Sequence, residues 1–321
     1  MTANSVAIRS ALRNSLSDCA AGDLVLVAVS GGADSLALAY ALSLEAPKLA
    51  IRVEGVTIDH QLQSQSSVQA EKVVAALSKM GIEKTHVIKV DVEITDGLEA
   101  SARRARYAAL DECAEKTGAA LIFLGHTRDD QSESVLLGLA RGSGARSLSA
   151  MAPRNGKYVR PLLAITREQT LAACAEAHLD PWDDPHNADK TFTRVRVRTE
   201  VIPNLEKNLG PGISAALART ASLLRDDADA LDEMAEKEFI AHDPLSLDIS
   251  RLEKLPKAIR TRVLRLAIYA AGAPSGSLSA DHITPIEALI TEWSGQGPSD
   301  LPGGVRVSRI SGRLSLSRSA N

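Results

Sequence analysis

The segment from Leu24 to Leu42, LVLVAVSGGADSLALAYAL, decides the fold. Its first six residues are all apolar and include three valines, which predicts a short strand buried on both faces, as in a parallel sheet. After the Ser-Gly-Gly turn, apolar residues recur at helical spacing until the chain approaches Pro47. A buried strand, a glycine turn and a helix together predict the first βα unit of an α/β domain.

The same alternation of strands and helices continues along the chain. Strands are predicted at 51–58, 85–90 and 120–124, helices at 66–80, 97–116, 131–140 and 167–178, and a candidate last strand at 159–165. Strands and helices that alternate at this spacing form a doubly wound parallel sheet with right-handed crossovers. We therefore expect an α/β domain over residues 1–210.

A second domain is expected over residues 211–321, beyond the pair Gly210-Pro211. Helical patterns at 213–240, 251–271 and 280–292 make up most of it. The final segment alternates apolar and polar residues around Ser311-Gly312, which predicts a β-hairpin. The sequence thus predicts a mainly helical domain that ends in a hairpin.

The composition excludes several classes of protein. The 321 residues carry 37 Lys and Arg against 40 Asp and Glu, a formal charge of −3, which argues against a protein that coats nucleic acid. Three scattered cysteines without a CxxC spacing argue against a disulfide framework and a cysteine-based metal site. No apolar run reaches the roughly 18 residues of a membrane helix, and the N-terminus lacks a signal-peptide core, so we expect no membrane partner and a cytoplasmic location.

The turn after the first strand has the composition of a phosphate-binding loop, formed by Ser30, Gly31, Gly32, Ala33, Asp34 and Ser35. Glycines let the backbone approach an anion, and successive N–H groups at a helix N-terminus form an anion site. Because a carboxylate repels phosphate, Asp34 favours a Mg²⁺ ion between the two. The alternative is a tight turn in which Asp34 or Ser35 caps the helix. The loop lacks the lysine of a Walker motif.

A second polar motif, GHTRDD at 125–130, follows the fourth strand. Ligands of open parallel sheets bind beyond the carboxyl ends of strands at the topological switch point, so this motif is expected to face the phosphate loop. There His126 could contact phosphate or developing charge, and Asp129 or Asp130 could hold a metal or an ammonium group. The alternative is helix capping by either aspartate. Glu133, further along the helix, is expected to be solvated.

Basic residues cluster in three places. Four cations and no acid lie between positions 190 and 198, namely Lys190, Arg194, Arg196 and Arg198. In a strand the three arginines would share one face, where RNA backbone or a triphosphate would neutralise them. A solvated edge strand is an equally good explanation for any one of them. Further cations lie at 254–265 and in the C-terminal hairpin, at Arg306, Arg309, Arg313 and Arg318.

These motifs carry a resemblance to a known family. The hexapeptide at 30–35 resembles the SGGxDS loop of the PP-loop ATP pyrophosphatases, which cleave ATP to AMP and pyrophosphate while activating a carbonyl-type oxygen. Other blocks resemble the tRNA(Ile)-lysidine synthetases in particular, in a short form. These blocks are GHTRDDQSESVLL from Gly125, RGSGAR from Arg141, RPLL from Arg160, the run from Asp184 to Pro203, and a helix with Glu99, Arg103, Arg106 and Tyr107.

The resemblance implies an activity: ATP-dependent ligation of lysine to C2 of cytidine 34 in the CAU anticodon of isoleucine tRNA, through an adenylated cytidine, with release of pyrophosphate and AMP. It implies ATP and Mg²⁺ as cofactors, with Asp34 on the metal and residues 30–35 on the phosphates. It puts His126 and Asp130 in the reaction crevice, and Arg106 and Arg198 on the triphosphate or the activated intermediate. The implied partners are isoleucine tRNA and free L-lysine, and a homodimer is compatible with the resemblance.

Three other functions compete with this interpretation. A tRNA thiolase of the same superfamily would need sulfur-carrying or cluster-binding cysteines. A small-molecule amide ligase would need an ammonia source and none of the tRNA-type blocks. A nucleotide-binding regulatory module could share the sheet and glycines, but it would need neither GHTRDD nor the arginine row.

The near-neutral net charge conceals local basic patches. Such patches fit a protein that binds one particular tRNA rather than polyanions in general.

Overall fold

The computed structural model describes residues 3–61, 66–93, 97–142, 144–241, 243–274 and 276–318. Ser143 and the side chain of Glu99, both part of the blocks above, lie outside the described residues. The chain divides into two compact units, Met1–Leu223 (unit 1) and Leu224–Asn321 (unit 2). Within the described ranges, no helix is long and apolar enough to cross a membrane.

Unit 1 is built on a six-stranded sheet. Its strands are β1 (Leu24–Ala28), β2 (Arg52–Asp59), β3 (Thr85–Lys89), β4 (Leu121–Leu124), β5 (Arg154–Asn155) and β6 (Tyr158–Val159). Their order is β3-β2-β1-β4-β6-β5, and all neighbours are parallel except β5 and β6. The predicted doubly wound sheet is confirmed, and its order reverses between β1 and β4.

Helices cover both faces of this sheet. The helices of unit 1 are α1 (Ala3–Leu16), α2 (Ala33–Glu45), α3 (Ser66–Lys79), α4 (Leu98–Thr117), α5 (Arg128–Ala140), α6 (Ala145–Leu148), α7 (Arg167–Glu176), α8 (Thr193–Arg196) and α9 (Ile202–Leu209). Val25 and Val27 belong to one apolar cluster together with residues of α1, α2 and α7. Leu26, on the other face, packs in a second cluster with Leu110 of α4. The β1 strand is therefore buried on both faces, as its unbroken apolar sequence predicts.

One local expectation in unit 1 is wrong, and one possibility that the sequence left open is excluded. The candidate strand at 159–165 ends at Val159, and a 3₁₀ helix follows at Pro161–Ala164, because proline lacks the N–H that a ladder needs. The arginine row at 190–198 does not form a strand. It runs through α8 and a π-helical turn at Val197–Val201 into α9, so its arginines do not share a face at a spacing of two.

A long helix, α10 (Ile213–Ile240), matches the pattern predicted at 213–240. The division between the two units falls within this helix, after Leu223. Unit 2 contains the rest of the helix together with β7 (Ser246–Asp248), α11 (Ile249–Leu252), α12 (Lys257–Ala270), α13 (Ala280–Thr291), β8 (Ser299–Leu301), β9 (Val305–Ile310) and β10 (Arg313–Arg318). The predicted hairpin is confirmed as β9 and β10, which pair around Ser311-Gly312. It is the centre of a four-stranded antiparallel sheet of order β7-β10-β9-β8.

Unit 2 is therefore less purely helical than the sequence suggests. Strands β7 and β8 have only three residues each, too few for an alternating pattern to be recognised. The helix predicted at 251–271 is divided in two, because Pro256 stands between α11 and α12. One face of the sheet, with Leu247, Val307 and Leu314, joins α12 and α13 in a single apolar core.

Candidate active site

The two polar motifs meet at the carboxyl edge of the sheet. Strands β1 and β4 are neighbours, with Ala28 opposite Leu124, so the chain leaves both at the same edge. Gly125 then packs directly on the start of α2. A Cβ atom at this position would lie 3.0 Å from the Asp34 carbonyl group and from the Ser35 Cα. A larger residue would have to push this backbone away, so glycine favours the close contact that joins the GHTRDD motif to the phosphate loop.

The phosphate loop is held in shape by its own groups and by a distant segment. Gly31 has a φ of +91°, a conformation that favours glycine. Its carbonyl oxygen accepts a hydrogen bond of 2.9 Å from the Trp182 N–H. The Ser35 hydroxyl donates to the Gly32 carbonyl at 2.9 Å. Gly32 is the N-cap residue of α2 and has no side chain to cap it, while the Ser35 hydroxyl accepts a hydrogen bond of 3.3 Å from the Ser30 N–H.

Asp34 lies half-buried behind the loop. Its Oδ1 accepts a hydrogen bond from the Thr170 hydroxyl of α7. The pKa of Asp34 is raised to about 6: burial is the main cause and Asp130 adds to it, while the Thr170 hydrogen bond, Arg167 and Arg198 oppose the rise. A carboxylate that resists ionisation in this way gains from a nearby cation.

The donor set fits a magnesium ion that is shared with a nucleotide. In the part of the chain that the structure describes, no group of three His, Cys, Asp or Glu side chains could enclose a metal. Magnesium does not require such an enclosure, since it usually binds one or two carboxylates together with substrate phosphates and water. Asp34 beside an anion-binding loop meets that requirement.

The two aspartates of GHTRDD both make capping contacts. Asp129 Oδ2 accepts a hydrogen bond of 2.9 Å from the N–H of Arg167, the first residue of α7. Asp130 Oδ2 accepts hydrogen bonds from the N–H and hydroxyl of Thr127, at 2.8 and 3.1 Å. The capping alternative is therefore correct for these oxygens. Asp130 Oδ1 instead faces the Arg198 guanidinium at 3.7 Å.

His126 and Asp130 influence each other's charge. Burial, together with the cations Arg160, Arg103 and Arg194, lowers the pKa of His126 to about 4, although the Asp130 carboxylate opposes the shift. Burial alone would raise the pKa of Asp130, but His126, the Thr127 N–H and the two nearby arginines hold it below its ordinary value. At neutral pH the imidazole is therefore neutral and the carboxylate ionised. The buried His126 Nδ1 has no hydrogen-bond partner among the described residues.

Glu133 is the residue that sequence reasoning misjudged. It is completely buried, so the expectation of a solvated side chain is wrong. It accepts hydrogen bonds from Arg198 Nε at 2.6 Å and from Arg194 Nε at 2.8 Å. The spacing contains a signal for this, because Glu133 lies three residues after Asp130 and so on the same side of α5.

The remaining cations of the arginine row are also satisfied within the protein. Arg196 donates to the carbonyl oxygens of Lys190 and Thr191 at 2.7 and 2.8 Å. Lys190 pairs with Glu200 at 2.9 Å. The row therefore does not depend on a polyanion to offset its charge. Arg198 alone among its members also faces the Asp130 carboxylate.

His60 was not among the predicted site residues. It follows β2 at the same edge of the sheet, and its buried Nδ1 has no partner in the described ranges. Burial and the positive charge of Arg106 lower its pKa. Arg106 is thus placed near the end of β2, on the opposite side of β1 from the His126 crevice.

Comparisons with known proteins agree with this geometry. The family model of the PP-loop domain matches residues 5–205, and the model of the TilS substrate binding domain matches residues 247–315. The tRNA(Ile)-lysidine synthase of Thermobifida fusca is 52% identical over 97% of this chain and 96% of its own length. That of Streptomyces coelicolor is 54% identical over 91% of this chain and 84% of its own.

A solved structure shares the fold of the chain. The U34-tRNA thiolase NcsA from Methanococcus maripaludis superimposes with a TM-score of 0.58 over 69% of this chain and 78% of its own, at 19% identity. Such a likeness concerns the fold alone. Identity near 50% over almost the whole length is much stronger evidence, and by it the chain belongs to the tRNA(Ile)-lysidine synthase family.

Proposed function

We propose that this protein ligates lysine to C2 of cytidine 34 in the CAU anticodon of isoleucine tRNA, at the expense of ATP. One observation carries the proposal beyond family membership. Gly125 packs on the backbone of Asp34 and Ser35, so the phosphate loop and the His126–Asp130 crevice form one continuous site. A nucleotide in the loop would have its phosphates beside the polar groups that the second substrate must meet.

The phosphate loop supplies the nucleotide site. The N–H groups of residues 30–35 would bind phosphate oxygens at the start of α2, where the helix dipole favours negative charge. Asp34 would hold Mg²⁺ together with those phosphates, and the ion would offset the charge that passes to the pyrophosphate. Arg198, which lies near Asp130 and Asp34, and Arg106, beside His60, would contact the triphosphate or the activated intermediate.

The chemistry takes two displacements. The C2 oxygen of cytosine attacks the α-phosphorus, the bond to the β-phosphate oxygen breaks, and pyrophosphate leaves. The ε-amine of lysine then attacks C2, and the C2–oxygen bond breaks with AMP as the leaving group. A neutral imidazole at His126 can accept the proton that the amine loses, and the ionised Asp130 can orient the incoming ammonium.

Several features support a tRNA substrate over the alternatives. The match to a substrate binding domain covers most of unit 2. Against a thiolase, Cys113 and Cys174 are buried, and burial raises the pKa of both thiols. The anticodon loop is single-stranded, so its base can enter the crevice at low unstacking cost. A cytoplasmic location, where tRNA and ATP meet, and a homodimer both remain part of the proposal.

The test measures AMP and pyrophosphate with all substrates varied in turn. We expect both products only when ATP, L-lysine and tRNA with a CAU anticodon are present together, and no products with bulk tRNA that lacks this isoacceptor. Covalent transfer of labelled lysine to tRNA gives a second readout. AMP release that is independent of lysine, or sulfur transfer in place of lysine transfer, would refute the proposal.

A further inference from the structure

Two arginines near His126 share a single neutral acceptor. The Tyr107 hydroxyl oxygen lies 3.2 Å from Arg160 Nη2 and 3.3 Å from Arg103 Nη2. The Arg103 guanidinium also lies over the Tyr107 ring, 4.9 Å from its centroid. Two positive charges are thus held close together with only a phenol oxygen between them, an arrangement that repels itself. We call these three residues the Arg103–Tyr107–Arg160 cluster.

The structure describes no carboxylate paired with the cluster. Among the residues that the structure describes, neither Arg103 nor Arg160 pairs with an acid, whereas Arg194, Arg198 and Arg260 all do. Arg160 is only 5% exposed. Its Nη1 donates to the Ala152 carbonyl oxygen at 3.1 Å, and its Nε is buried without a partner. A guanidinium buried without a counter-ion is costly, which indicates that an anion completes the cluster in the working state.

The cluster lies at the reactive edge of the sheet. Arg160 directly follows β6, which runs parallel to β4, so it leaves the sheet on the same side as His126. Both arginines of the cluster act electrostatically on His126. Tyr107 is fixed in place by Tyr158, whose ring meets it edge-on with centroids 4.9 Å apart and whose hydroxyl donates to the Tyr107 carbonyl oxygen. The cluster is therefore preorganised beside the crevice.

We propose that the Arg103–Tyr107–Arg160 cluster is an oxyanion-binding subsite for an incoming substrate, with the exposed Arg103 making the contact and the buried Arg160 supporting it. The proposal rests on the proposed function, in which two substrates other than ATP bring an oxyanion. Lysine carries an α-carboxylate, and the RNA strand carries a phosphodiester beside the target nucleotide. A guanidinium fork suits either group. The phosphates of ATP have their own loop at β1, on the other side of β4 from Arg160.

The test compares three variants of the full chain. Arg103→Ala removes the exposed fork, and Tyr107→Phe removes only the shared oxygen. Arg104→Ala is the matched control. It removes the same charge from the neighbouring residue, but the Arg104 side chain donates to the Ser101 hydroxyl and not to Tyr107. The measurements are KM for ATP, KM for lysine, and tRNA affinity as a function of salt. Thermal unfolding of each variant confirms that it is folded.

We expect Arg103→Ala to weaken the binding of one of the two oxyanion substrates, lysine or tRNA, about tenfold or more, because it removes a charged hydrogen-bond donor. Tyr107→Phe should act on the same substrate less strongly, and Arg104→Ala should not. If the anion is the lysine carboxylate, KM for lysine rises, and the wild-type preference for lysine over 1,5-diaminopentane disappears in Arg103→Ala. If it is a phosphodiester, the slope of log affinity against log salt falls by about one.

Two results would overturn the subsite. One is an Arg103→Ala protein with the lysine KM, tRNA affinity and salt slope of the Arg104→Ala control. The other is a loss confined to ATP, which would make the cluster part of the phosphate site. The tRNA-binding measurements do not depend on turnover, so a wild-type protein that fails to transfer lysine counts against the proposed function and not against the subsite.

Discussion

Glu133 in unit 1 and Glu287 in unit 2 are each buried against two cations. In unit 1, Glu133 pairs with Arg198 and Arg194 at 2.6 and 2.8 Å. In unit 2, Glu287 pairs with Arg260 and Lys257 at 2.8 and 3.2 Å. The two sites differ in what the arginines reach next. Arg198 also faces Asp130 at 3.7 Å, whereas Arg260 donates to the Leu255 carbonyl oxygen at 2.9 Å.

The difference separates a functional ion pair from a structural one. Glu133 directs a cation toward a crevice whose carboxylates and imidazole have displaced pKa values. Glu287 joins α13 to the start of α12. Its partner Arg260 donates its other hydrogen bonds to backbone carbonyl oxygens next to Pro256. Burial and pairing are alike in the two sites, so neither property identifies function. What distinguishes the functional site is the set of other partners that its arginine contacts.

The largest expected effect lies at the centre of the unit 1 crevice. Asp34→Asn removes the carboxylate proposed to hold Mg²⁺ with the phosphates, and pyrophosphate release should fall by about 10³-fold or more. Glu115→Gln, an exposed acid at the far end of α4, is the control and should keep full activity. Pyrophosphate release within tenfold of the wild type in Asp34→Asn would exclude the metal role.

The second prediction compares the two glutamates directly. Glu133→Gln and Glu287→Gln each remove the counter-charge of a mostly buried arginine, Arg198 or Arg260, so each should lower the free energy of unfolding by about 3 kcal/mol. Only Glu133→Gln should also lower kcat/KM, by about tenfold or more, because only its arginine reaches the crevice. Denaturant unfolding and steady-state kinetics at a temperature where both variants are folded measure the two effects. An equal loss of kcat/KM in Glu287→Gln would erase the distinction.

A third prediction uses pH. The pKa of His126 is about 4 in the folded protein, against about 6.5 for an unfolded histidine, so folding favours the neutral ring. Its contribution to stability is complete above pH 6.5 and is lost as the pH falls from 6.5 to 4, by up to about 3 kcal/mol. The raised pKa of Asp34 makes the free energy of unfolding change with pH in the opposite direction, but this contribution is the same in wild type and variant. The stability difference between wild type and His126→Asn should therefore shrink in this window, and a constant difference would contradict the assignment.

The smallest effect is expected on the surface of unit 2. Arg306 of the hairpin forms an exposed pair with Asp300 at 2.7 Å, and such pairs add little to stability. Arg306→Ala should leave thermal unfolding unchanged and lower the salt slope of tRNA binding by about one if the hairpin contacts phosphate. If tRNA affinity and salt slope are both unchanged, the hairpin is not a phosphate-contacting surface.

Much of the fold could be predicted because its signals are local. The apolar run at 24–29, the glycine loop and the helix after it are encoded within twenty residues, and the alternation of strands and helices continues that signal to β4. The strands that were missed, β7 and β8, have three residues each and depend on pairing with the hairpin. The conformation of the arginine row could not be read from its spacing, which is compatible with a strand, whereas the structure makes it helical.

The sequence by itself determined the phosphate loop, the place of GHTRDD at the carboxyl edge of the sheet, and the family resemblance. Only the tertiary structure decided which charges are paired. Glu133 meets Arg194 and Arg198 across 61 and 65 residues of chain, whereas Arg160 and Arg103 meet no acid among the described residues. The physical reason is that loop and strand patterns depend on neighbours along the chain, but the state of a charge depends on burial and on groups brought within a few ångströms by folding.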